Sequence, residues 1–446
     1  MMRFNDIKRE AGFVFAHRQF KLTLLVVFLL STVALWSGHA EMQAQQATIE
    51  RLLEKDTVER EAVLSHQNSY GMVAYYAFHL TYAPPSPLAF AVVGERDVFP
   101  WKHRIRMLAL EGQIYESDTD NPELAFLGRF DFAFVVSVLL PLFIILLLYD
   151  LKAKEREARR FDLLNVTARN SHAVWTSRTL VTLVPLALVT LIPFIAFAIV
   201  NGASLRSILL ACVIVLGTIS VWSAIVLAIG AAQRFAKYSA THLASLMLGV
   251  WLITTVIVPV TGHTVINAIV DTPEGGDIVL TQREAVNGAW DKPIEATWEK
   301  FIETHPQWAD YTAYDPERDG SFNWKWYYAF QQVGDERASE LSNAYQQATL
   351  RKNQLAGYVS LLSPSLLTQR LLSNTANTNV QSMIDYENKV RAFHASLREF
   401  YYQQLFAAPE FTEASLEQLP QFTTTSLQLH NLLQQKMNTQ ENTNEK

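Results

Sequence analysis

Eleven histidines, 43 carboxylates and a single cysteine, Cys212, are the groups in this 446-residue chain that could carry chemistry. Their spacing argues against an enzyme. The histidines are scattered, and none forms a ligand pair at helical spacing. No His-Glu-x-x-His and no Gly-x-Ser-x-Gly occurs, so zinc-hydrolase and nucleophile-elbow chemistry lack their residues. No glycine-rich loop ending in Gly-Lys-Ser/Thr is present to cradle a nucleotide's phosphates. One cysteine permits neither a disulfide nor a thiolate metal site within one copy. His242 and His263 flank an apolar run and read as interfacial residues. Asn165-Val166-Thr167 matches a glycosylation sequon but falls in a segment assigned below to the cytoplasm. The aromatic cluster Trp290, Trp298, Trp308, Trp324, Trp326, Tyr327 and Tyr328 fits a small domain's core or an interfacial belt better than a ligand site. No catalytic residue, cofactor or metal is expected.

The elements around these residues are of two kinds. The chain is 50% hydrophobic, 18% charged and carries a net charge of −6. Charged residues make up about a quarter of an ordinary soluble chain. The deficit lies in long runs almost free of charge, and the lack of a basic block speaks against nucleic acid as a partner. A bilayer core of about 30 Å needs roughly 20 apolar helical residues. Five segments meet that demand: Leu22–Gly38, Phe132–Tyr149, Leu180–Val200, Ile208–Ile229 and His242–Val260. The fold class expected is an all-α polytopic helical bundle with two mainly helical extracytoplasmic regions forming one ectodomain. Leu361–Leu372, with Pro364, Gln369 and Arg370, is too short and polar to cross, and is placed at the interface or within a soluble core. A cleaved signal peptide ending near Ser37-Gly38-His39-Ala40 is the alternative for the first run; the twenty residues before it weigh against this.

Basic residues near span ends are retained in the cytoplasm. Arg3, Lys8, Arg9, Arg18 and Lys21 precede the first span. Lys152, Lys154, Arg156, Arg159, Arg160, Arg169 and Arg178 lie between the second and third, and Arg234 and Lys237 between the fourth and fifth. All fall on one side when the spans alternate. This predicts a multi-pass protein with a cytoplasmic N-terminus and an extracytoplasmic C-terminus. Residues 1–21 then form a cytoplasmic amphipathic helix and 22–38 the first span. Residues 39–130 form a first outer region, 131–150 the second span and 151–179 a cytoplasmic loop. Residues 180–260 carry spans three to five, and 261–446 a second outer region with a polar tail. None of the spans has a charge at its middle, which argues against ion coupling.

In the N-terminal helix, Phe4, Ile7, Ala11 and Val14 share one face, and Asp6, Lys8, Arg9 and Glu10 are read as turned away. The face suits a membrane anchor or a platform for a cytoplasmic partner. In the second outer region, apolar stripes over Glu336–Ser360 and Tyr386–Phe400, parted by Ser373–Asn379, predict an antiparallel helical hairpin.

Several motifs in order resemble the ABC-2 type transporter permeases that carry a DUF3526-like ectodomain, a group related to the NosY-type permeases. They are Pro84-Pro85-Ser86-Pro87-Leu88-Ala89, Val93-Gly94, Phe99-Pro100, Gly128-Arg129-Phe130-Asp131-Phe132, Leu139-Leu140-Pro141-Leu142, Tyr149-Asp150-Leu151, Glu155-Arg156-Glu157, His305-Pro306, Leu362-Ser363-Pro364 and Leu419-Pro420-Gln421-Phe422. The resemblance implies a bacterial inner-membrane permease, an exporter by the commoner direction, with ATP hydrolysis on a separate ATP-binding subunit. It implies a second permease subunit, identical or not, with lipid as the remaining partner. By the same resemblance, Glu155, Arg156 and Glu157 couple to the ATPase, together with the N-terminal helix. The sequence departs from the group twice: Ala158-Arg159-Arg160 stands where Gly-Thr is usual, and a sixth span does not follow Phe422. A mechanical transmitter acting on an envelope partner, or a membrane-anchored receptor or scaffold, are the other readings.

Overall fold

The computed structural model describes residues 4–116, 130–167, 171–232, 235, 238–311, 322–407 and 411–424. The architecture is an all-α bundle joined to a mainly helical domain, with one two-stranded antiparallel hairpin. Among the described residues, five helices are long and apolar enough to cross a membrane. α1 (Phe4–Ala16) is followed by α2 (Arg18–His66), 49 residues without a break. At about 1.5 Å per residue α2 is a rod of roughly 74 Å. Its first half is the apolar run; its second half, rich in Glu, Gln, Ala and Leu, leaves the bundle and enters the domain. Gly38 suits that passage because a Cβ there would collide with the Phe90 carbonyl oxygen.

The domain's first part holds α3 (Tyr70–Tyr76), β1 (His79–Tyr82), β2 (Lys102–Ile105) and α4 (Leu110–Tyr115). β1 and β2 pair from His79–Ile105 to Tyr82–Lys102. The bundle resumes with α5 (residues 132–148), capped by the Asp131 carboxylate, which accepts from Phe134 N (2.8 Å) and Val93 N (3.1 Å). A short α6 (Ala153–Glu157) and α7 (Phe161–Thr167) lead to α8 (Ser171–Val200). Gly202, at φ +69°, turns the chain into α9 (Leu205–Ala231), whose N-cap is Ser204. α10 (Ala240–Ile269) completes the candidate spans. The domain closes with α11 (Gly275–Gly288), α12 (Ile294–Thr304), α13 (Trp324–Ser360), α14 (Pro364–Ala376) and α15 (Val380–Phe406).

α5 and α10 each contain a π segment, Val135–Leu139 and Ile253–Ile257, ending two residues before a proline (Pro141 and Pro259). Proline has no N–H, so a helix carrying it leaves a carbonyl one turn earlier without its usual donor. Widening that turn re-aims the carbonyls. In α5 the Trp251 indole of α10 donates to the Val138 carbonyl at 3.2 Å, a bond between neighbouring helices beside this irregular turn.

The largest departure from the sequence-based expectation is α14. Leu361–Leu372 lies neither at an interface nor in a soluble core. α14 is wedged among α5, α9 and α10, with Leu372 and Ala376 in the apolar core of the bundle. The Thr218–Thr368 hydroxyl pair is 2.7 Å apart and Thr255–Ser365 is 2.9 Å apart. Thr218 and Thr255 stand midway along α9 and α10. α13 therefore descends from the domain beside α10, turns at Leu361–Ser363, and α14 climbs back, so the pair is re-entrant. Ser363 caps α14 by accepting from Leu366 N, and Asn377, at φ +51°, ends it.

The predicted hairpin is corrected by the same finding. α13 and α15 pack on each other, but the link between them is α14 itself, and the break shrinks to Asn377–Asn379. Tyr386, Val390, Phe393, Leu397 and Phe400 are buried in the domain core. Leu362 is 68% exposed at the turn between α13 and α14. Trp298, Trp308, Trp326 and Tyr328 are buried, so most of the aromatic cluster is core.

Candidate functional site

The charged triplet and the N-terminal helix meet at the end of the bundle away from the domain. α6 is five residues long, and its two carboxylates reach different neighbours. Glu155 is 6% exposed. It accepts from Arg178 Nη1 and from Arg160 Nε, both at 3.0 Å. Arg178, on the first turns of α8, also donates from Nε to Glu10 Oε2 at 2.9 Å. The guanidinium is thus clamped between carboxylates of α1 and α6. Phe13 and Trp175 rings cover it, at 5.2 and 5.5 Å from their centroids. Glu157 Oε1 accepts from Ala240 N at 2.7 Å, at the first turn of α10, whose N-cap is Ser239. Arg156 lies 4.8 Å from the Phe161 ring centroid, and Phe161 stacks on Trp175.

α6 therefore works as a bracket. It follows α5 directly and is tied to α1 and α8 through Arg178 and to α10 through Glu157. At its centre Arg178 is held between two largely buried carboxylates, and the exposed Arg9 and Arg160 close the cluster on the solvent side. Such a cluster holds only while all members are present, because losing one strands the rest.

Ile7 and Ala11 are half-buried and Val14 is buried, all against the bundle core. Phe4 opens α1, and its side chain lies outside the described residues. The sequence reading placed Glu10 among the outward residues; the structure buries it, at 5% exposure. The cause is elementary. Residues 7, 10, 11 and 14 are spaced by three and four, so Glu10 belongs to the inward stripe. Arg178 was read as one more basic flanking residue. Its signal was its place inside the first turns of a span, where a cation needs a partner. Of the triplet, Glu155 faces inward, Arg156 is half-buried and Glu157 is exposed. Arg159, at φ +53°, ends α6 in a left-handed conformation that suits glycine, at the place where a Gly-Thr pair is usual in the resembled group. Arg159→Gly is expected to raise stability by about 1 kcal/mol, read as a higher midpoint in a thermal melt.

The domain has its own buried polar centre. Three histidines there are held neutral. Burial, aided by Arg60, pulls His79 down to about 4. Burial, aided by Arg391, does the same to His103. Burial and Arg398 take His394 to about 3, against the pull of Asp335. A histidine with a lowered value leaves stability intact above its unfolded value of 6.5 and costs stability as pH falls from there toward 4. In that window the unfolded chain binds more protons. Each is expected to cost up to about 3 kcal/mol. The domain's thermal midpoint should fall between pH 7 and pH 5; a flat profile would contradict the burial of these rings.

Among the described residues, no group of three or more His, Cys, Asp or Glu side chains could hold a metal ion. A family model described as "Domain of unknown function (DUF3526)" matches residues 278–425. That segment covers most of α11 and all of α12 to α15, the re-entrant helix included. No curated protein and no solved structure matches the chain.

Proposed function

We propose that this chain is the membrane-spanning permease subunit of an ABC transporter, moved by a separate ATP-binding subunit that docks beside α1 and α6. One observation carries the reading: α6, a five-residue helix, joins α1, α5, α8 and α10 through Glu155, Arg178, Glu10 and Glu157. A push on that bracket reaches three candidate spans at once, which suits rigid-body gating. The surface offered to the docking subunit is then Arg156, Glu157, Arg159 and Arg160, while Glu155 holds the bracket together from inside. The basic flanks favour a cytoplasmic place for this face with the domain outside it, and the resemblance implies a bacterial inner membrane. A second permease subunit, identical or not, completes the unit, and export is the direction favoured.

The test is to purify the chain from its native membrane with its companions and assay for ATP hydrolysis. The reading requires a co-purifying ATPase whose turnover drops when Arg156 and Arg159 are changed to Glu. Gentle extraction that yields no nucleotide hydrolase removes it. A mechanical transmitter is the second reading, favoured by α2, which runs as one rod from beside the bracket into the domain. Sealed vesicles holding the complex separate the two: ATP-driven loss or uptake of a cargo belongs to the permease alone.

A further inference from the structure

Where the domain meets the bundle, a cavity of about 390 Å³ opens between the Tyr82–Pro87 segment, the 94–97 turn and the start of α15. That volume suits a small molecule. Four charged side chains line it: Glu95 and Arg96 on one wall, Asp385 and Lys389 on the other. Their partners are unusual. Arg96 donates to Gln45 Oε1 (Nε 3.2 Å, Nη2 2.7 Å) and to the Ala83 carbonyl (2.9 Å). Lys389 donates to the Thr424 carbonyl at 3.2 Å, and Asp385 accepts from Gln381 at 2.9 Å. Every one of these hydrogen-bond partners is neutral, and among the described residues none of the four charges forms a salt bridge, Arg370 acting on Glu95 only at longer range. Glu41 acts on Arg96 only from behind Gln45. Asp385 and Lys389 are one helical turn apart, where acid and base ordinarily pair, yet they do not.

Thr378, 1% exposed, also lines the cavity, and its hydroxyl has no hydrogen-bond partner. The Trp101 indole closes one side, with Arg96 and Lys102 at 5.9 and 5.0 Å from its ring centroid. Glu95, Arg96 and Lys389 are half-buried, where charge is costly unless paired. An anion alone would satisfy Arg96 and Lys389 and leave Glu95 and Asp385 facing it; a cation alone would do the reverse.

We propose that this cavity binds a small zwitterion, a molecule with an anionic oxygen group and a primary ammonium a few bonds apart. The guanidinium and Lys389 take the anionic end, as charge-assisted donors to phosphate or carboxylate. Glu95 and Asp385 take the ammonium. Occupancy bears on the bundle, because Asn377 and Thr378, which end α14, form part of the wall. The Thr378 carbonyl also accepts from Glu95 N at 2.8 Å. The inference goes beyond the permease reading and does not need an ATPase.

The test uses the purified full chain and isothermal titration calorimetry. The probes are phosphoethanolamine, alanyl-alanine, glycerol 3-phosphate (anion only) and ethanolamine (cation only). At least one zwitterion should bind at least tenfold tighter than either singly charged probe. Phosphoethanolamine against alanyl-alanine separates a phosphate from a carboxylate source. Nanodiscs of phosphatidylethanolamine or phosphatidylcholine, competing with the bound probe, then tell a lipid headgroup from a soluble ligand. Arg96→Gln and Asp385→Asn should each weaken binding tenfold or more. Asp385 is exposed, so its variant keeps the test open should the other fail to fold. The proposal is overturned if no zwitterion binds with Kd below about 1 mM, if a singly charged probe binds as well, or if Asp385→Asn binds like the parent.

Discussion

Replacing Arg178 with methionine is expected to cost about 3–5 kcal/mol of stability, more than any other single change on the bracket. The loss of packing is small, since methionine keeps much of the stem between Phe13 and Trp175. What remains is the penalty: Glu10 and Glu155, both under 10% exposed, would lose the buried cation between them and keep only the exposed Arg9 and Arg160 at their outer sides. Thermal unfolding of the detergent-extracted protein reads the loss. The same physics predicts a rescue. Neutralising both carboxylates in the same chain, Glu10→Gln with Glu155→Gln, should recover most of it, because the cost is stranded charge and not the absent bond. A single-site loss below about 1 kcal/mol would mean that water reaches the site and screens the carboxylates.

The second large effect belongs to the domain. Asp335 accepts from Leu110 N (2.8 Å) and Glu111 N (3.0 Å) at the start of α4. It also accepts from Gln282 Nε2 (2.7 Å) and Arg398 Nη2 (2.6 Å). Burial alone would raise its pKa. Arg398, His394 and the two backbone N–H groups outweigh burial and hold the carboxyl below its usual range. Asp335→Ala removes the acceptor that joins α4, α11, α13 and α15 and leaves Arg398 stranded at 8% exposure. A loss of about 3–5 kcal/mol is expected, and Asp335→Asn should lose less, since an amide oxygen still accepts. The depressed value also fixes a sign: this contribution is complete above the unfolded carboxylate range and lost as pH falls through the folded value. It therefore adds to the acid sensitivity set by the three histidines. Protease resistance of the domain in the intact protein reports the loss without interference from the bundle.

Sequence reasoning found what long uniform runs encode. Each of the five candidate spans holds enough apolar residues in a row that periodicity was hardly needed, and the structure has helices in all five places. It failed where a short segment is decided by its neighbours. Leu361–Leu372 reads as too short and polar on account of Pro364, Gln369 and Arg370. It also carries Ser365 and Thr368, whose hydroxyls meet Thr255 and Thr218 on adjoining helices, so part of its polarity fastens it in the bundle. Glu10 failed for another reason. Charge was allowed to outrank spacing, though the three-and-four rhythm of residues 7, 10, 11 and 14 placed it inward. The matched glutamates of α6 carry no sign in sequence that one looks in and the other out; only the position of Arg178 divides them.

The re-entrant pair has a consequence for how the molecule is made. A segment that dips halfway and returns cannot be threaded into lipid in passing, as a run of twenty apolar residues is. On the proposed topology it travels across with the soluble part and then enters from the far face, between helices already in place. The wedge between α9 and α10 is thus filled last, by a piece delivered from the domain, and neither half of the protein reaches its final form before the other.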